Sequence, residues 1–273
     1  MPWCLILKGA RSIKSPSGMN STTTHIEKFR NEGFVLIEGL LSSSEIEDLK
    51  SQIADAVGKL KEESSLNAEG LVFHSNLFRY NEQLSQWLCS QKIAGEVESL
   101  VNAKLWIRWD QQISKMPGGV VFPWHRDNAY NKLKAEHYQL WLPLTEMTEQ
   151  NGALWLIPRS HKMPRMHHEK IGPHWVTEGD DSKAICVEAK PGDLVVFSSW
   201  LLHKTGVNQT QGPRISYVVE YMKQENIDPG IEAPFLFVQN HQPVWKDRHP
   251  RDGFWKRRKA LVSGSAVNRE REV

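Results

Sequence analysis

The sequence predicts a mainly β protein with flanking helices, whose core is a sandwich or barrel of jelly-roll type. Short apolar segments recur at close spacing, at 105–115, 137–144, 153–158, 184–188, 194–198 and 214–222. Turn-forming combinations of Pro, Gly, Asn and Asp occur between several of them, at 117–119, 151–152, 191–193 and 212–213. Many short strands joined by regular turns are typical of antiparallel sandwiches and barrels.

The first hundred residues carry mostly helical patterns. Segments 23–31 and 82–101 are predicted to be helices, and 34–37 a short apolar strand. A clearer helix is predicted to begin at Ser44, because Ser44 and Glu47 fit the Ser-x-x-Glu capping box. Apolar residues then recur every three or four positions and predict one buried face, formed by Ile46, Leu49, Ile53, Val57 and Leu60.

The segment 105–115 alternates as a strand with two distinct faces does. One face is predicted to carry Leu105, Ile107, Trp109, Gln111 and Ile113. Segment 162–182 has no strong periodicity and contains several Pro, Gly and His residues, so it is predicted to be a long loop near the mouth of the barrel. A second loop is predicted around 71–78, and both loops are expected to shape a pocket.

The length and composition favour a single globular domain. The chain has 273 residues, of which 40% are hydrophobic and 24% are charged, as in ordinary globular proteins. A single domain is predicted over 21–245, with a helical N-terminal part and the jelly-roll core. Residues 1–20 are predicted to be a disordered extension, with Met19 as an alternative start, and 246–273 a basic tail.

Charge and apolar content restrict the partners and the compartment. The formal net charge of +2 gives no reason to expect nucleic acid as a partner. No apolar run approaches the roughly 20 residues of a membrane helix, so no membrane span is expected. Cys4, Cys89 and Cys186 form no disulfide or metal-binding pattern and favour a reducing compartment. We therefore expect a cytoplasmic protein, and an N-terminal segment without acidic residues leaves organelle import open.

A candidate metal site combines His125 and Asp127 with the distant His203. Residues i and i+2 of a strand project to the same face, so the first two side chains can reach one ion. Two imidazoles and one carboxylate on one side of iron(II) leave its other positions free. His-x-Asp alone is weak evidence, because a single histidine is usually a surface or core residue. A rival set with the same spacing, within the predicted loop, is formed by His167, His168 and Glu169.

Arg214 is a candidate anchor for an acidic co-substrate. A dicarboxylate such as 2-oxoglutarate can chelate iron through its keto-acid end, which leaves its distal carboxylate to be fixed. The planar guanidinium of arginine can bind a carboxylate through two hydrogen bonds. Arg214 begins the strand that follows His203, and if this strand pairs with the strand of His203, Arg214 points into the metal cavity, where Thr205 could donate a hydroxyl. Taken alone, Arg214 fits a strand end at the surface better, but together with His203 and Thr205 it favours the co-substrate anchor.

In this order, these residues resemble the phytanoyl-CoA dioxygenase family of iron(II)- and 2-oxoglutarate-dependent oxygenases. The segment 124–127 resembles the family's metal motif, and 149–162 resembles its Asn-Gly and Ser-His segment. The resemblance extends over most of the chain. The combination of motifs is specific, whereas no single motif is. The remaining similar positions are 33–39, 41–46, 110–111, 115–118, Trp141, 191–193, His203, Thr205, Asn208 and Arg214.

The resemblance implies a double-stranded β-helix core, of jelly-roll or cupin-like form, with helices packed on one side. It implies His125, Asp127 and His203 as ligands of Fe(II). Arg214 and Thr205 would hold the distal carboxylate of 2-oxoglutarate. The reaction would use O2 to hydroxylate a C–H bond of a small-molecule or acyl-type substrate, with release of succinate and CO2.

The resemblance also implies roles for two further residues, and two other residues depart from the family pattern. Gln111 and Trp141 would be second-tier contacts to 2-oxoglutarate. Arg126, within the metal motif, and Arg159, before Ser-His, differ from the usual family residues. Neither removes a ligand, and both predict a changed pocket entrance and an unusual or anionic substrate.

Three alternatives stay open from the sequence. A metal-dependent jelly-roll protein that does not use 2-oxoglutarate fits the metal ligands but not Arg214. A nucleic-acid demethylase of the same chemistry would use the basic cluster at 255–259, which also fits a solvated tail. A non-catalytic binding module would carry a vestigial site, against the intact ligand set. Neither the substrate nor the oligomeric state can be read from the sequence.

Overall fold

The computed structural model describes residues 21–249 except 61–65 and 68. The predicted extension at 1–20 and the basic cluster at 255–259 lie outside the described residues. Within the described part of the chain, no helix combines the length and apolar character needed to cross a membrane. Cys89 and Cys186 are free thiols.

The helices come mostly from the first hundred residues. Their bounds are α1 Ser21–Glu32, α2 Ser43–Gly58, α3 Glu82–Cys89, α4 Ala94–Val101 and the short α5 Asn128–Asn131. On α2, Ile46, Leu49 and Ile53 are buried, as their periodicity predicts. The prediction of one continuous helix over 82–101 is wrong, because the chain leaves the helical conformation at Ser90.

A capping box holds the N-terminus of α2, two residues earlier than predicted. The Ser42 side chain accepts a hydrogen bond from the backbone N–H of Glu45 at 3.3 Å. The Glu45 carboxylate in turn accepts one from the backbone N–H of Ser42 at 2.8 Å. The predicted pairing of Ser44 with Glu47 is therefore wrong. Three successive serines offer three positions for the cap, and the local pattern does not choose between them.

Removal of this cap is expected to lower the stability of the protein. Ser42→Ala loses the side-chain acceptor for the Glu45 N–H, so the free energy of unfolding should fall by about 1 kcal/mol. Urea denaturation followed by circular dichroism measures the change. Ser44→Ala is the matched control and should cost less than half as much. An equal loss in both variants would contradict the assignment of Ser42 as the cap.

The β core consists of two facing antiparallel sheets and a separate hairpin. The strands are β1 Phe34–Ile37, β2 Leu71–Ser75, β3 Leu105–Lys115, β4 Phe122–His125, β5 His137–Pro143, β6 Leu154–Leu156, β7 Glu169–Ile171, β8 His174–Val176, β9 Ile185–Val187, β10 Leu194–Ser198, β11 His203–Thr205, β12 Arg214–Lys223, β13 Phe235–Gln239 and β14 Gln242–Lys246. The larger, eight-stranded sheet has the order β1-β10-β5-β12-β3-β13-β14, with β2 also paired to β3. The smaller sheet has the order β4-β11-β6-β9, and β7 pairs with β8.

The larger sheet has a buried core on each of its faces. On one face, Tyr217 of β12 belongs to a cluster with Leu88 of α3 and Val97 of α4. On the other face, Phe197 of β10 belongs to a cluster with Leu154 of β6 in the smaller sheet. Helices therefore cover the outside of the larger sheet, and the two sheets enclose the second core. This arrangement confirms the predicted jelly-roll core with helices packed on one side.

Three strand regions differ from the sequence prediction. Segment 71–78 begins with a strand, because β2 pairs with β3 from Leu71 opposite Lys115 onward. The predicted loop at 162–182 contains the hairpin β7–β8. The hairpin β13–β14 extends the larger sheet beyond the predicted strands. Strands β2, β7, β8 and β14 are short and mix apolar with polar residues, so periodicity alone does not reveal them. Strand β13 is a run of four apolar residues before Gln239, a pattern that the sequence prediction missed.

A bulge in β3 separates residues that simple alternation would place on one face of the strand. The pairing of β3 with β12 shifts register between Glu220 and Tyr221, which leaves Arg108 as the extra residue. One extra residue reverses the alternation of side chains along a strand. Ile107 therefore packs toward the helices, whereas Ile113 lies in the core between the sheets. The single face predicted for this strand is wrong for this reason.

Candidate active site

Three candidate metal ligands meet on the smaller sheet. His125 is the last residue of β4 and lies opposite His203, the first residue of β11. Asp127 follows β4 and directly precedes α5. Each residue offers a ligand atom, and these atoms all lie within 4.8 Å of one another. Among the described residues, this is the one group of three such side chains that meets in this way. The fold thus brings together the three residues that the sequence predicts.

Hydrogen bonds set the direction of both imidazoles. His125 Nδ1 donates to the Pro123 carbonyl at 2.8 Å, and His203 Nδ1 donates to the Leu201 carbonyl at 3.0 Å. Each neutral ring therefore carries its proton on Nδ1, which leaves the Nε2 lone pair free for a metal. The two Nε2 atoms lie 3.6 and 3.5 Å from Asp127 Oδ1. This donor set fits a divalent ion such as iron(II).

Burial and neighbouring charges determine the protonation of this group. Burial, followed by the nearby His203, lowers the pKa of His125 to about 4. Burial alone would raise the pKa of Asp127, but the two imidazoles hold it well below its ordinary value. Burial would lower the pKa of His203, but the Asp127 carboxylate outweighs burial and raises it. Asp127 is therefore ionised, as a metal ligand has to be.

Gln139 of β5 orients the carboxylate of Asp127. Its Nε2 donates to Asp127 Oδ2 and to Glu220 Oε1, both at 3.0 Å. The remaining oxygen, Oδ1, then faces the two imidazoles. Sequence reasoning misses Gln139. The available signal is its position two residues before Trp141 on a strand, which places both side chains on one face.

Arg214 lies across the cavity on the larger sheet, at the start of β12. It is only 1% exposed. Its Nη1 donates to Ser216 Oγ at 2.9 Å, whereas Nε and Nη2 are buried without a hydrogen-bond partner among the described residues. Burial lowers the pKa of Arg214 to about 10, so the side chain stays charged near neutral pH. A buried cation with free donors fits a carboxylate ligand.

Arg214 reaches this cavity by another route than the sequence suggests. The strands of His203 and Arg214 do not pair, so the condition considered from the sequence is not met. Strand β11 lies between β4 and β6 in the smaller sheet, whereas β12 lies between β5 and β3 in the larger one. The two side chains line one cavity because the two sheets face each other. The predicted position of Arg214 in the cavity is nevertheless present.

Thr205 and Lys115 lie close together at the Arg214 end of the cavity. Thr205 lines the cavity with Arg214. Lys115 Nζ donates to Thr205 Oγ1 at 2.9 Å, to the Val120 carbonyl at 2.7 Å and to the Gly206 carbonyl. Burial, followed by the nearby Arg214, lowers the pKa of Lys115 to about 7. Sequence reasoning misses this lysine, which ends the long strand β3 and carries no motif of its own.

Gln111 and Trp141 also line the cavity, as the resemblance implies. The guanidinium carbon of Arg214 lies 5.3 Å from the centre of the Trp141 ring. The cavity has a volume of about 430 Å³. Much of its wall is apolar or aromatic, formed by Leu71, Phe73, Ile113, Phe122, Tyr130, Phe197 and Val218. A largely apolar cavity with a few convergent polar groups is typical of a small-molecule site.

A second group of charged residues in the cavity is missing from the sequence prediction. It consists of Arg108 on β3, Glu220 on β12 and Asp228 after β12. The side chain of Arg108 forms ion pairs with both carboxylates. No sequence motif marks these residues, because the bulge at Arg108 and the facing of the strands decide where they point.

The rival metal set does not form a site. His168 Nε2 accepts the backbone N–H of Arg126 at 3.1 Å, and His168 Nδ1 donates to the Met166 carbonyl at 3.1 Å. Both of its nitrogens are therefore engaged. Glu169 lies on the exposed strand β7.

The two departures from the family pattern lie outside the cavity lining. Arg126 donates to the carbonyls of Ser160 and Pro164, at 2.6 and 3.1 Å. Arg159 is exposed and pairs with Glu32 at 3.0 Å. Both side chains have structural partners of their own, which gives no support to the predicted change of the pocket entrance.

Comparisons with known proteins agree with this fold. Methylphosphonate hydroxylase of Gimesia maris is 24% identical over 220 residues, which cover 74% of this chain and 82% of the relative. The 2-aminoethylphosphonate dioxygenase of an uncultured bacterium is 24% identical over 206 residues, covering 71% and 79%. The epimerase SnoN, solved with Fe3+, alpha ketoglutarate and nogalamycin RO, aligns with a TM-score of 0.65 at 16% identity, covering 83% of this chain and 96% of its own.

Fold and comparisons together place this protein in the class of non-haem iron(II)- and 2-oxoglutarate-dependent dioxygenases, which consume O2. The profile of the phytanoyl-CoA dioxygenase (PhyH) family matches residues 29–216, more than half of the chain. The chain belongs to this family, which is the family that its motifs resemble.

Proposed function

We propose that this dioxygenase hydroxylates a C–H bond of a small-molecule or acyl-type substrate, with His125, Asp127 and His203 as the ligands of iron(II). Arg214 and Thr205 bind the distal carboxylate of 2-oxoglutarate. One observation carries the proposal: a convergent triad on one sheet faces a buried guanidinium on the other, two of whose nitrogens have no hydrogen-bond partner within the described part of the chain. Both line a single cavity, so one co-substrate can reach the ion and the guanidinium together.

The proposed reaction balances with the known reactants of the class. 2-Oxoglutarate loses CO2 and becomes succinate, which takes up one atom of O2. The other oxygen atom enters the substrate as a hydroxyl group. The bound iron(II) supplies the redox chemistry that activates O2. The residues of the chain bind and orient the reactants and keep water out of the cavity.

Trp141 and Gln111 complete the proposed co-substrate site. The Trp141 ring lies against the guanidinium, at 5.3 Å from its central carbon, and restricts the directions in which the donors can point. Gln111 lies opposite Val218 on the neighbouring strand, and both line the cavity. These positions support a second-tier role for Gln111 and Trp141.

Thr205→Val is expected to weaken the binding of 2-oxoglutarate. Because Thr205 Oγ1 accepts a hydrogen bond from Lys115, at 2.9 Å, its own hydrogen is free to donate to a carboxylate. Loss of one net hydrogen bond of about 1 kcal/mol should raise the KM for 2-oxoglutarate about 5- to 10-fold. Initial rates at varied 2-oxoglutarate measure this change.

Thr210→Val is the matched control for this variant. The Thr210 hydroxyl bonds to Asn208 and Gly212 within its own turn, away from the cavity. Its KM for 2-oxoglutarate should equal that of the wild type. An unchanged KM in Thr205→Val would remove Thr205 from the proposed anchor.

A substrate screen tests the proposed function directly. The purified protein, supplied with iron(II), is assayed for 2-oxoglutarate consumption and succinate release in the presence of small-molecule and acyl compounds. Asp127→Ala serves as the blank. We expect turnover above the blank in the wild type and a hydroxylated product by mass spectrometry. A folded, iron-loaded protein that never consumes 2-oxoglutarate would refute the proposal.

The names of relatives, the size of the cavity and the free thiols support a proposed range of substrates and a compartment. The names of two relatives point to small phosphonates, and the family name points to an acyl-CoA. A cavity of about 430 Å³ can hold a small molecule, or the end of an acyl chain, beside 2-oxoglutarate. The free thiols of Cys89 and Cys186 support a reducing compartment such as the cytoplasm.

A further inference from the structure

The cavity has a charged end, formed by Arg108, Glu220 and Asp228, that the metal site and the co-substrate anchor do not use. On β12, Glu220 lies six positions after Arg214, which is roughly 20 Å along an extended strand. Arg214 and the charged end therefore lie far apart along one wall of the same cavity. A ligand at the charged end would be the substrate and not the distal carboxylate of 2-oxoglutarate.

The charged end carries more negative than positive charge. Arg108 Nε pairs with Asp228 Oδ2 at 2.6 Å, and Arg108 Nη1 pairs with Glu220 Oε2. The side chains of Glu220 and Asp228 are only 12% and 4% exposed. Among the described residues, one guanidinium thus faces two shielded carboxylates, which leaves a net charge of −1. An unbalanced charge in a shielded site is unfavourable until a counter-charge binds.

The neighbouring His137 does not cancel this charge. Its side chain is fully buried, and its Nε2 lies 3.7 Å from Glu220 Oε2. Neither ring nitrogen has a hydrogen-bond partner among the described residues. Burial lowers the pKa of His137, so the ring is neutral near pH 7.

The charges at the metal end of the cavity balance one another without those of the charged end. Iron(II) and Arg214 together carry three positive charges, and Asp127 and the 2-oxoglutarate dianion together carry three negative charges. These groups leave no positive charge to offset the net charge of −1 at the charged end. Lys115 Nζ is held at the Arg214 end by Thr205 and by the carbonyls of Val120 and Gly206. Arg108 and Arg214 are the only Lys or Arg side chains among the described residues that line the cavity, so the counter-charge is expected from the substrate.

The charged end also lies next to the reacting centre. Gln139 Nε2 donates to both Asp127 Oδ2 and Glu220 Oε1, at 3.0 Å each, so one amide nitrogen links the metal ligand to Glu220. Gln139 Oε1 is buried and has no hydrogen-bond partner among the described residues, which leaves an acceptor available beside Glu220. A group bound here would hold its nearest carbon atoms close to the triad.

We infer that the substrate carries a positively charged amine, bound by Glu220 and Asp228, and that the hydroxylated carbon lies close to that nitrogen. This inference rests on the proposed function and narrows its substrate class. Arg108 is already neutralised by two carboxylates, so the charged end disfavours a carboxylate or phosphonate on the substrate. The anionic substrate expected from Arg126 and Arg159 is not supported by this geometry.

Matched ligands that share an alkyl chain and differ only in their terminal group test the inference. Butyl, hexyl and octyl chains are compared, each as the primary amine, the alcohol, the carboxylate and the phosphonate. Binding is measured by anaerobic calorimetry on the protein loaded with iron(II) and 2-oxoglutarate, and stimulated succinate release is measured in air. We expect at least about tenfold tighter binding of the best amine than of its alcohol, as for a hydrogen bond to a charged group. Equal or stronger binding of the anions, or no amine binding at millimolar concentration, overturns the inference.

Two variants assign the effect to the charged end. Glu220→Gln and Asp228→Asn keep the size of each side chain and remove its charge, so the preference for the amine over the alcohol should fall about tenfold in either variant. Glu188→Gln, at an exposed acid outside the cavity lining, is the control and should keep the preference. An unchanged preference in both cavity variants rejects the assignment.

The same assays separate the failure of this inference from failure of the proposed function. If the wild type consumes 2-oxoglutarate in an iron-dependent reaction but prefers the alcohol or the anions, only the amine assignment fails. If it binds the amine tightly but never consumes 2-oxoglutarate, the amine site stands and the proposed function fails.

Discussion

Asp127→Ala is expected to abolish 2-oxoglutarate turnover and to lower iron(II) affinity by more than about 100-fold, because even loss of a supporting contact can cost that much. Asp127 supplies the negative charge of the triad, and its Oδ1 lies 3.6 and 3.5 Å from the two imidazole nitrogens. Without it, His125 and His203 would hold the ion by two neutral donors. Anaerobic equilibrium dialysis measures the iron affinity, and succinate release measures turnover. His125→Ala and His203→Ala should also abolish turnover.

Glu169→Ala is the matched control, because Glu169 is the acid of the rival set and lies on an exposed strand. It should bind iron(II) as the wild type does. Circular dichroism shows whether each variant is folded, so loss of metal can be separated from loss of structure. Wild-type iron affinity in folded Asp127→Ala would overturn the assignment of the triad.

Arg214→Ala is expected to act mainly on 2-oxoglutarate. The guanidinium is buried, and two of its nitrogens have no partner among the described residues, so a bound carboxylate would gain charge-assisted hydrogen bonds. Loss of about 1.5–3 kcal/mol should raise the KM for 2-oxoglutarate about 10- to 150-fold. Arg214→Lys should recover only part of this, because an ammonium keeps the charge but lacks the planar fork.

Arg159→Ala controls for the loss of a positive charge from the chain. Arg159 is exposed and pairs with Glu32 on the outside of the fold, at 3.0 Å. Its KM for 2-oxoglutarate should not change. Normal co-substrate affinity in Arg214→Ala would show that another group holds the distal carboxylate, and calorimetry with iron(II)-loaded protein would measure this without turnover.

Several buried strands of the sheets could be predicted because local patterns specify them. Strand β3 and strand β10 have the predicted bounds, and β12 differs from prediction by one residue. The bulge at Arg108 could not be predicted, since it depends on the register between two strands distant in sequence. The hairpin β7–β8 is short and largely exposed, so it has no apolar alternation to recognise.

Some residues of the candidate site could be predicted from the sequence, and others could not. His125 and Asp127 share a local spacing that suits one ion, and family motifs point to His203 and Arg214. Gln139 could not be recognised, because its role depends on Asp127 and Glu220 meeting across separate strands. The other residues that become visible only once the sheets face each other are Arg108, Lys115, Glu220 and Asp228.

The placement of Arg214 and the triad on opposite sheets has a consequence for the lifetime of the protein. A 2-oxoglutarate molecule held at both ends would clamp the two sheets together, and unfolding would have to release it. At a concentration one hundred times its Kd, such a ligand adds about 2.7 kcal/mol to the free energy of unfolding. The melting temperature would then rise with the concentration of 2-oxoglutarate, and the ligand-free enzyme would be more open to proteolysis.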